Sequence, residues 1–259
     1  MNGLFVTGTD TDIGKTALSA LLLAELRRRG INAAPMKPAQ TGCKPADSRQ
    51  QATGTSDPSC LVPNASCLSV PDLDYSLSMA AMEVDSETYQ TMSPYRFEPA
   101  CSPHLAAEMA GTEIDIAEMV IAARTLTSDY GFVIAEGAGG TLVPLNQRET
   151  MLDLMQALKL PVLIAARPGL GTINHTLLTI RTLRADGLDI AGVVFIASTD
   201  DKPGFIESDN INTIEHFGKV PILGTIPYCA QLTPPKPNYD DLPIPVVAEV
   251  EKIVNQLGI

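Results

Sequence analysis

The sequence predicts a doubly wound α/β domain: a mostly parallel sheet of about seven strands flanked by helices. Three observations predict it. Short apolar runs alternate with helical patterns along the chain. The apolar runs have the length of fully buried strands. The interior must be built from Ala, Val, Ile and Leu, because only 5% of the 259 residues are aromatic and Trp is absent; that mixture suits helices packed on a parallel sheet.

In chain order, Leu4–Thr7 is a short apolar strand ending at a glycine. Lys15–Arg29 carries Leu18, Leu21, Leu22 and Leu26 at helical spacing, with basic residues in its last turn and Gly30 as a stop. Ala33–Met36 is a second strand. Phe132–Ala135, Val162–Ala166, Gly192–Ala197 and Ile222–Ile226 follow as buried-strand runs, separated by helical patterns at 115–127, 150–158, 173–186, 209–217 and 245–257. Cys43–Cys101 is the exception. It is rich in Pro, Ser and Asp, shows little periodicity before about Asp74, and reads as loop plus a short helix. Without internal repeats, residues 1–259 are expected to form a single domain with one elaborated excursion at about 43–101.

Charge narrows the function classes. Net charge is −12, from 18 basic against 30 acidic residues. Such a balance argues against a nucleic-acid or anionic-membrane partner, whose affinity needs a basic face. Five cysteines without CxxC spacing indicate neither a zinc site nor a disulfide framework, although Cys60 and Cys67 could pair. No apolar run approaches the roughly 18 residues of a membrane span, and the first residues open directly into a strand pattern. A soluble cytoplasmic protein is expected.

The chemistry begins at Gly8-Thr-Asp-Thr-Asp-Ile-Gly-Lys-Thr16, between the first strand and the first helix. Glycines let successive N–H groups point at an anion, and the helix N-terminus adds its positive end. Lys15 would reach the β- and γ-phosphates, and the Thr16 hydroxyl would bind Mg²⁺. This loop has five residues between its glycines where the common phosphate loop has about four, with Thr9 where the first glycine would sit. The strand–loop–helix context still marks a nucleotide phosphate site over Asp12, Ile13, Gly14, Lys15, Thr16 and Ala17. Glu136-Gly137-Ala138-Gly139-Gly140 follows another buried strand, which puts Glu136 at the sheet edge where ligands bind and makes it the best magnesium ligand. Lys37-Pro38-Ala39-Gln40-Thr41-Gly42 leaves a third strand at the same edge. Alone, Lys37 reads as a solvated lysine. Two lysines and a metal around one phosphate, however, stabilise a transferring phosphoryl group.

Together these motifs resemble the dethiobiotin synthetases, ATP-dependent ring-closing enzymes of biotin synthesis. Ser102-Pro-His104, Gly171-Thr-Ile-Asn-His175 and Gly224-Thr-Ile-Pro-Tyr228 continue the likeness, which covers most of the chain except about 44–72. The phosphate loop is shared with many ATPases; the combination with the Lys37 and Asn174-His175 motifs is far more specific. The resemblance implies that 7,8-diaminopelargonate, CO2 and ATP give dethiobiotin, ADP and phosphate through a carbamate and a carbamic–phosphoric anhydride. It implies Lys37, Lys15 and Thr11 as catalytic groups and Mg²⁺ on Thr16, Glu136 and Asp74, with Asp47 and Asp57 as rivals to Asp74. Thr41, the backbone around Gly139, Gly140 and Thr141, and Asn174 would hold the diamine and its carbamate. In the family the Asn174 helix end comes from a partner subunit, so a homodimer is implied, although Thr172 also reads as an ordinary helix cap. Gly137, Ala138, Pro227 and Tyr228 would complete the nucleotide site. At one position the chain departs from the family: Ile196 stands where an Asn commonly reads the base, and an apolar side chain makes no such hydrogen bonds. A competing reading is a P-loop ATPase switch of the partitioning or metallocentre-assembly type. Those proteins carry an extra lysine early in the phosphate loop, where this chain has Thr9 or Asp10, and lack the Lys-Pro loop.

Overall fold

The computed structural model describes residues 1–45, 68–200, 204–233 and 237–259. Asp47, Asp57, Cys60 and Cys67 lie outside the described residues.

The chain alternates as the apolar pattern requires. Strand β1 (Gly3–Gly8) leads into α1 (Lys15–Arg28), β2 (Ala33–Met36) and the two-residue strands β3 (Ala39–Gln40), β4 (Lys44–Pro45) and β5 (Leu68–Ser69). Helices α2 (Pro71–Met79) and α3 (Ser86–Met92), strand β6 (Tyr95–Arg96) and helices α4 (Pro103–Met109) and α5 (Ile116–Tyr130) follow. The remainder runs β7 (Phe132–Gly140), α6 (Met151–Leu158), β8 (Val162–Ala166), α7 (Thr172–Ala185), β9 (Ile190–Ile196), α8 (Phe205–Gly218), β10 (Ile222–Ile226) and α9 (Ile244–Leu257).

The central sheet has six strands among the described residues, all parallel, in the order β10-β9-β8-β1-β7-β2. From β2 the chain returns to β7, then crosses β1 to reach β8. The strand order therefore reverses around β1, where open α/β sheets bind ligands at the carboxyl ends of their strands. Successive side chains alternate between faces. Leu4 and Val6 join a core under α1 and α9, while Phe5 joins a second core under α5, α6 and α7. Each fully buried Leu or Phe contributes about 1.5–3 kcal/mol relative to exposure, so both faces are clamped to the sheet.

The excursion differs from its expected form. It carries two helices, α2 and α3, and β6 pairs in parallel with β3. Helix α4 was not anticipated either: it has seven residues, too short for a periodic signal, and begins at Pro103. Helix α8 starts at Phe205 rather than 209, its first turn held by Glu207, whose carboxylate accepts the Gly204 N–H at 2.8 Å. Helix α2 is tied to the chain after β10. Tyr75 donates its hydroxyl proton to the Leu232 carbonyl at 2.7 Å, and Ser78 donates to the Pro237 carbonyl at 3.0 Å. No described helix is long and apolar enough to cross a membrane.

Candidate functional site

A cavity of about 880 Å³ opens at the carboxyl ends of β1, β2 and β7. It is lined by Thr11, Asp12, Gly14, Lys15 and Thr16 from the first loop, Lys37 and Thr41 after β2, and Glu136, Ala138 and Gly139 from β7. Asp72 and residues 100–103 complete the wall. Three chain segments far apart in sequence thus meet because β1 lies next to β7 and β7 next to β2; Val6 pairs with Glu136, and Met36 with Ala135.

The loop before α1 is shaped by backbone geometry. Gly14 has φ +93°, and a Cβ there would lie 2.8 Å from the Ile196 side chain. Asp12 also adopts a left-handed φ of 55°, a conformation Asp tolerates better than most residues. A Cβ on Gly8 would lie 2.9 Å from the Lys15 ammonium, so glycine leaves room for Lys15 to fold back over the loop. There Lys15 donates to the Asp10 carbonyl at 2.7 Å. Burial, and then the neighbouring Lys37 charge, lower its pKa to about 8.

Lys37 is 4% exposed, and its ammonium sits among oxygens. Nζ lies 2.7 Å from Asp72 Oδ2 and 2.7 Å from Glu136 Oε1, and donates to the Gly137 carbonyl at 3.2 Å. Burial works against this charge, but Glu136 and Asp72 outweigh it, so its pKa lies above the ordinary lysine value. Burial pushes the Glu136 carboxyl up; Lys37 opposes the shift without cancelling it, and Asp72 adds to it. The Thr16 hydroxyl donates to the same Glu136 Oε1 at 2.9 Å. Glu136 and Asp72 are thus gathered around a cation with the Thr16 hydroxyl on the shared Glu136 oxygen, and the three supply hard oxygen donors of the kind that suits Mg²⁺. Among the described residues no group of three or more His, Cys, Asp or Glu is placed to hold a metal by itself, so a metal here would take further ligands from water or phosphate oxygens.

Asp74, expected among the metal ligands, is not part of this wall. It accepts the Tyr89 hydroxyl at 2.7 Å, and Asp72 stands at the cavity instead. The reason is helical geometry. Helix α2 begins at Pro71, and two residues along a helix turn the side chain by about 200°. The Asp72-Leu-Asp74 motif was legible; the helix start at Pro71 was the signal that distinguishes its two carboxylates.

The other expected residues divide into two groups. Ile13 and Thr141 are buried, Ala17 is half-buried in α1, and Gly140 packs its backbone near the Gly8 carbonyl. None of them lines the cavity, although Gly137 contributes its carbonyl to Lys37. Asn174, Pro227 and Tyr228 lie outside it, beyond β8 and β10 at the same edge of the sheet, with Asn174 and Tyr228 exposed. Helix α7 starts with Thr172 inside it; Gly171 occupies the cap position, and Thr172 Oγ1 instead lies 3.2 Å from Thr176 Oγ1. Sequence reasoning noted Ser102-Pro-His104 as part of the family likeness but did not place Cys101, Ser102 and Pro103 in the cavity wall, since nothing in their types marks a half-buried turn as a lining.

Comparison with known proteins follows the same lines. A family model described as an AAA domain matches residues 2–236. The chain is 42% identical over 194 residues to an ATP-dependent dethiobiotin synthetase BioD of Anaeromyxobacter sp. strain K, covering 75% of this chain and 76% of that protein. It is 37% identical over 235 residues to the enzyme of the same name from Pseudomonas aeruginosa, covering 90% and 93%. Among solved structures, the cell division protein MinD of Aquifex aeolicus superposes with a TM-score of 0.56 over 100% of this chain and 98% of that one. At 14% identity this shows a shared fold alone. With the sequence relatives and the P-loop fold in agreement, the chain belongs to the ATP-dependent dethiobiotin synthetases, a family of ligases.

Proposed function

We propose that this protein closes the ureido ring of dethiobiotin from 7,8-diaminopelargonate, CO2 and ATP, releasing ADP and phosphate. The observation that carries the reading is the convergence of two buried lysines, two carboxylates and a threonine hydroxyl on one cavity. Its family membership points the same way.

One amine of the substrate traps CO2 as a carbamate and gives up a proton. A carbamate oxygen attacks the γ-phosphorus, the bond to the β-bridging oxygen breaks, and ADP leaves. The second amine then attacks the carbamoyl carbon of the resulting anhydride, loses its proton, and expels phosphate. Lys15 and Lys37 neutralise charge on the transferring phosphoryl group and the carbamate, where preorganised cations in a dry site act most strongly. Thr11, Thr41 and the backbone of Gly139–Thr141 orient the diamine, and orientation matters because ring closure is intramolecular once both amines are held. Thr16, Asp72 and Glu136 would hold Mg²⁺. A metal held there would supply positive charge to offset that of the nucleotide's phosphates.

Two further assignments complete the proposal. Asn174 faces outward on α7 beside Leu178, and Leu170, just before the helix, is 95% exposed. A second copy seated there would cover this apolar face and let Asn174 reach its partner's substrate, so the working unit is a homodimer. Pro227 and Tyr228 flank the base. The enzyme acts in the cytoplasm.

Purified protein given Mg-ATP, bicarbonate and diaminopelargonate should release phosphate in proportion to dethiobiotin, followed by mass spectrometry. ATP turnover indifferent to the diamine would overturn this reading in favour of an ATPase switch.

A further inference from the structure

The position of Lys37 carries a consequence for how the metal enters. Its ammonium lies at the point where the Asp72 and Glu136 oxygens meet, 2.7 Å from each, and the Glu136 oxygen it touches is the one that accepts from Thr16 at 2.9 Å. A divalent ion bound by Thr16, Asp72 and Glu136 would draw on these same two carboxylates, with metal–oxygen distances of about 2.0–2.1 Å. The ammonium already stands where the two carboxylates meet, so such an ion would enter beside it or displace it. Two positive centres a few ångströms apart in a buried site repel strongly, and each oxygen's lone pairs serve one cation well.

We infer that Lys37 is a built-in stand-in for the metal: without nucleotide its ammonium gathers and neutralises Asp72 and Glu136, and Mg²⁺ arriving with ATP displaces it toward the phosphoryl and carbamate groups. The inference rests on the reading of Thr16, Asp72 and Glu136 as metal ligands. Charge balance supports the exchange. Lys15 is held on the Asp10 carbonyl, whereas Lys37 is paired with both carboxylates; once a dication takes over the carboxylates, Lys37 is released to join Lys15 in facing the anionic substrates. Lys37 lines the cavity alongside Lys15 and Thr41, so an ammonium displaced from the carboxylates still faces the same space. Bare metal is then a poor ligand for the free protein, since it must first evict a bound cation. The nucleotide supplies the compensating phosphates. Loading is therefore ordered, and Lys37 is a positioning residue for the metal ligands before it is a catalytic one.

The test measures Mn²⁺ binding without nucleotide, by calorimetry and by the electron paramagnetic resonance of the free ion. Lys37→Met should bind Mn²⁺ at least about tenfold more tightly than the unaltered protein, the expected gain when a competing internal occupant is removed. Equal affinities would overturn the exchange, provided that Mn²⁺ still binds both proteins with a non-hydrolysable ATP analogue. If Mn²⁺ fails to bind either protein even then, the metal-ligand reading itself falls, and the exchange with it. Should Lys37→Met not fold, a crystal structure of the unaltered protein with Mg²⁺ and the analogue decides. Nζ is expected beyond hydrogen-bond distance, about 3.5 Å, from Asp72 Oδ2; Nζ still bridging Asp72 and Glu136 would overturn the proposal.

Discussion

The β1–β2–β7 side and the β9–β10 side of one sheet edge are built from opposite chemistry. On the first, Lys15, Lys37 and Glu136 are each under 10% exposed and held in direct contacts with charged or backbone groups. On the second, the strand ends offer Ile196, Pro227 and a Tyr228 that is 41% exposed. Buried charge is costly unless paired, so it accumulates only where its neighbours satisfy it. The difference teaches that this sheet edge concentrates its buried charge at the β1, β2 and β7 ends and leaves the β9 and β10 ends apolar, which is the division the proposed function assigns to phosphate and base.

The strongest way to break that contrast is Lys37→Ala. Dethiobiotin formation should fall by at least about a hundredfold in steady-state assays, the scale of losing a preorganised charge in a transition state. A near-normal rate would mean that the charged side is not where the chemistry happens. Next comes a paired comparison within α2. Asp72→Asn should raise the Mg²⁺ concentration needed for half-maximal rate by about ten- to hundredfold, whereas Asp74→Asn should leave it within about twofold. If the second substitution proved the damaging one, the assignment of the metal carboxylate would move by two residues.

Those two aspartates mark where the sequence stops being legible. Lys37 follows β2 directly, Glu136 lies within the carboxyl half of β7, and Lys15 and Thr16 open α1 after the loop that leaves β1, so the patterns that identify these elements also set the edge from which the four residues project. Asp72 and Asp74 sit on a short helix inside the excursion. There the face a residue presents depends on the turn at which the helix begins, and weak periodicity hides that turn. Helix α4 was invisible for the same reason, its seven residues making barely two turns. The six main-sheet strands were all legible as apolar runs because each is buried on both faces.

The two sides of the edge approach each other at Gly14 and Ile196, and a smaller prediction sharpens the comparison there. Gly14→Ala puts a Cβ 2.8 Å from the Ile196 side chain and strains a left-handed residue. The expected cost is about 1–2 kcal/mol of stability, read as a lower melting temperature. Adding Ile196→Ala should recover the steric part of that loss and leave the backbone part. Smallest of all is the base itself. An apolar side chain discriminates poorly between hydrogen-bonding patterns, so CTP and GTP should support rates within about tenfold of ATP. Ile196→Asn should shift the kcat/KM ratio in favour of one base by about 1 kcal/mol, the worth of one added hydrogen bond. A wild-type preference far above tenfold would mean that backbone groups near Tyr228 read the base after all.

The hydroxyl of Tyr75 spans 157 positions of sequence to reach the Leu232 carbonyl. Anyone building chimeras of this ligase should treat α2 and the stretch after β10 as one inheritable block. A crossover placed between them would swap the anchor without its tether and leave the acidic wall of the cavity loosely aimed, even though every residue of that wall was retained.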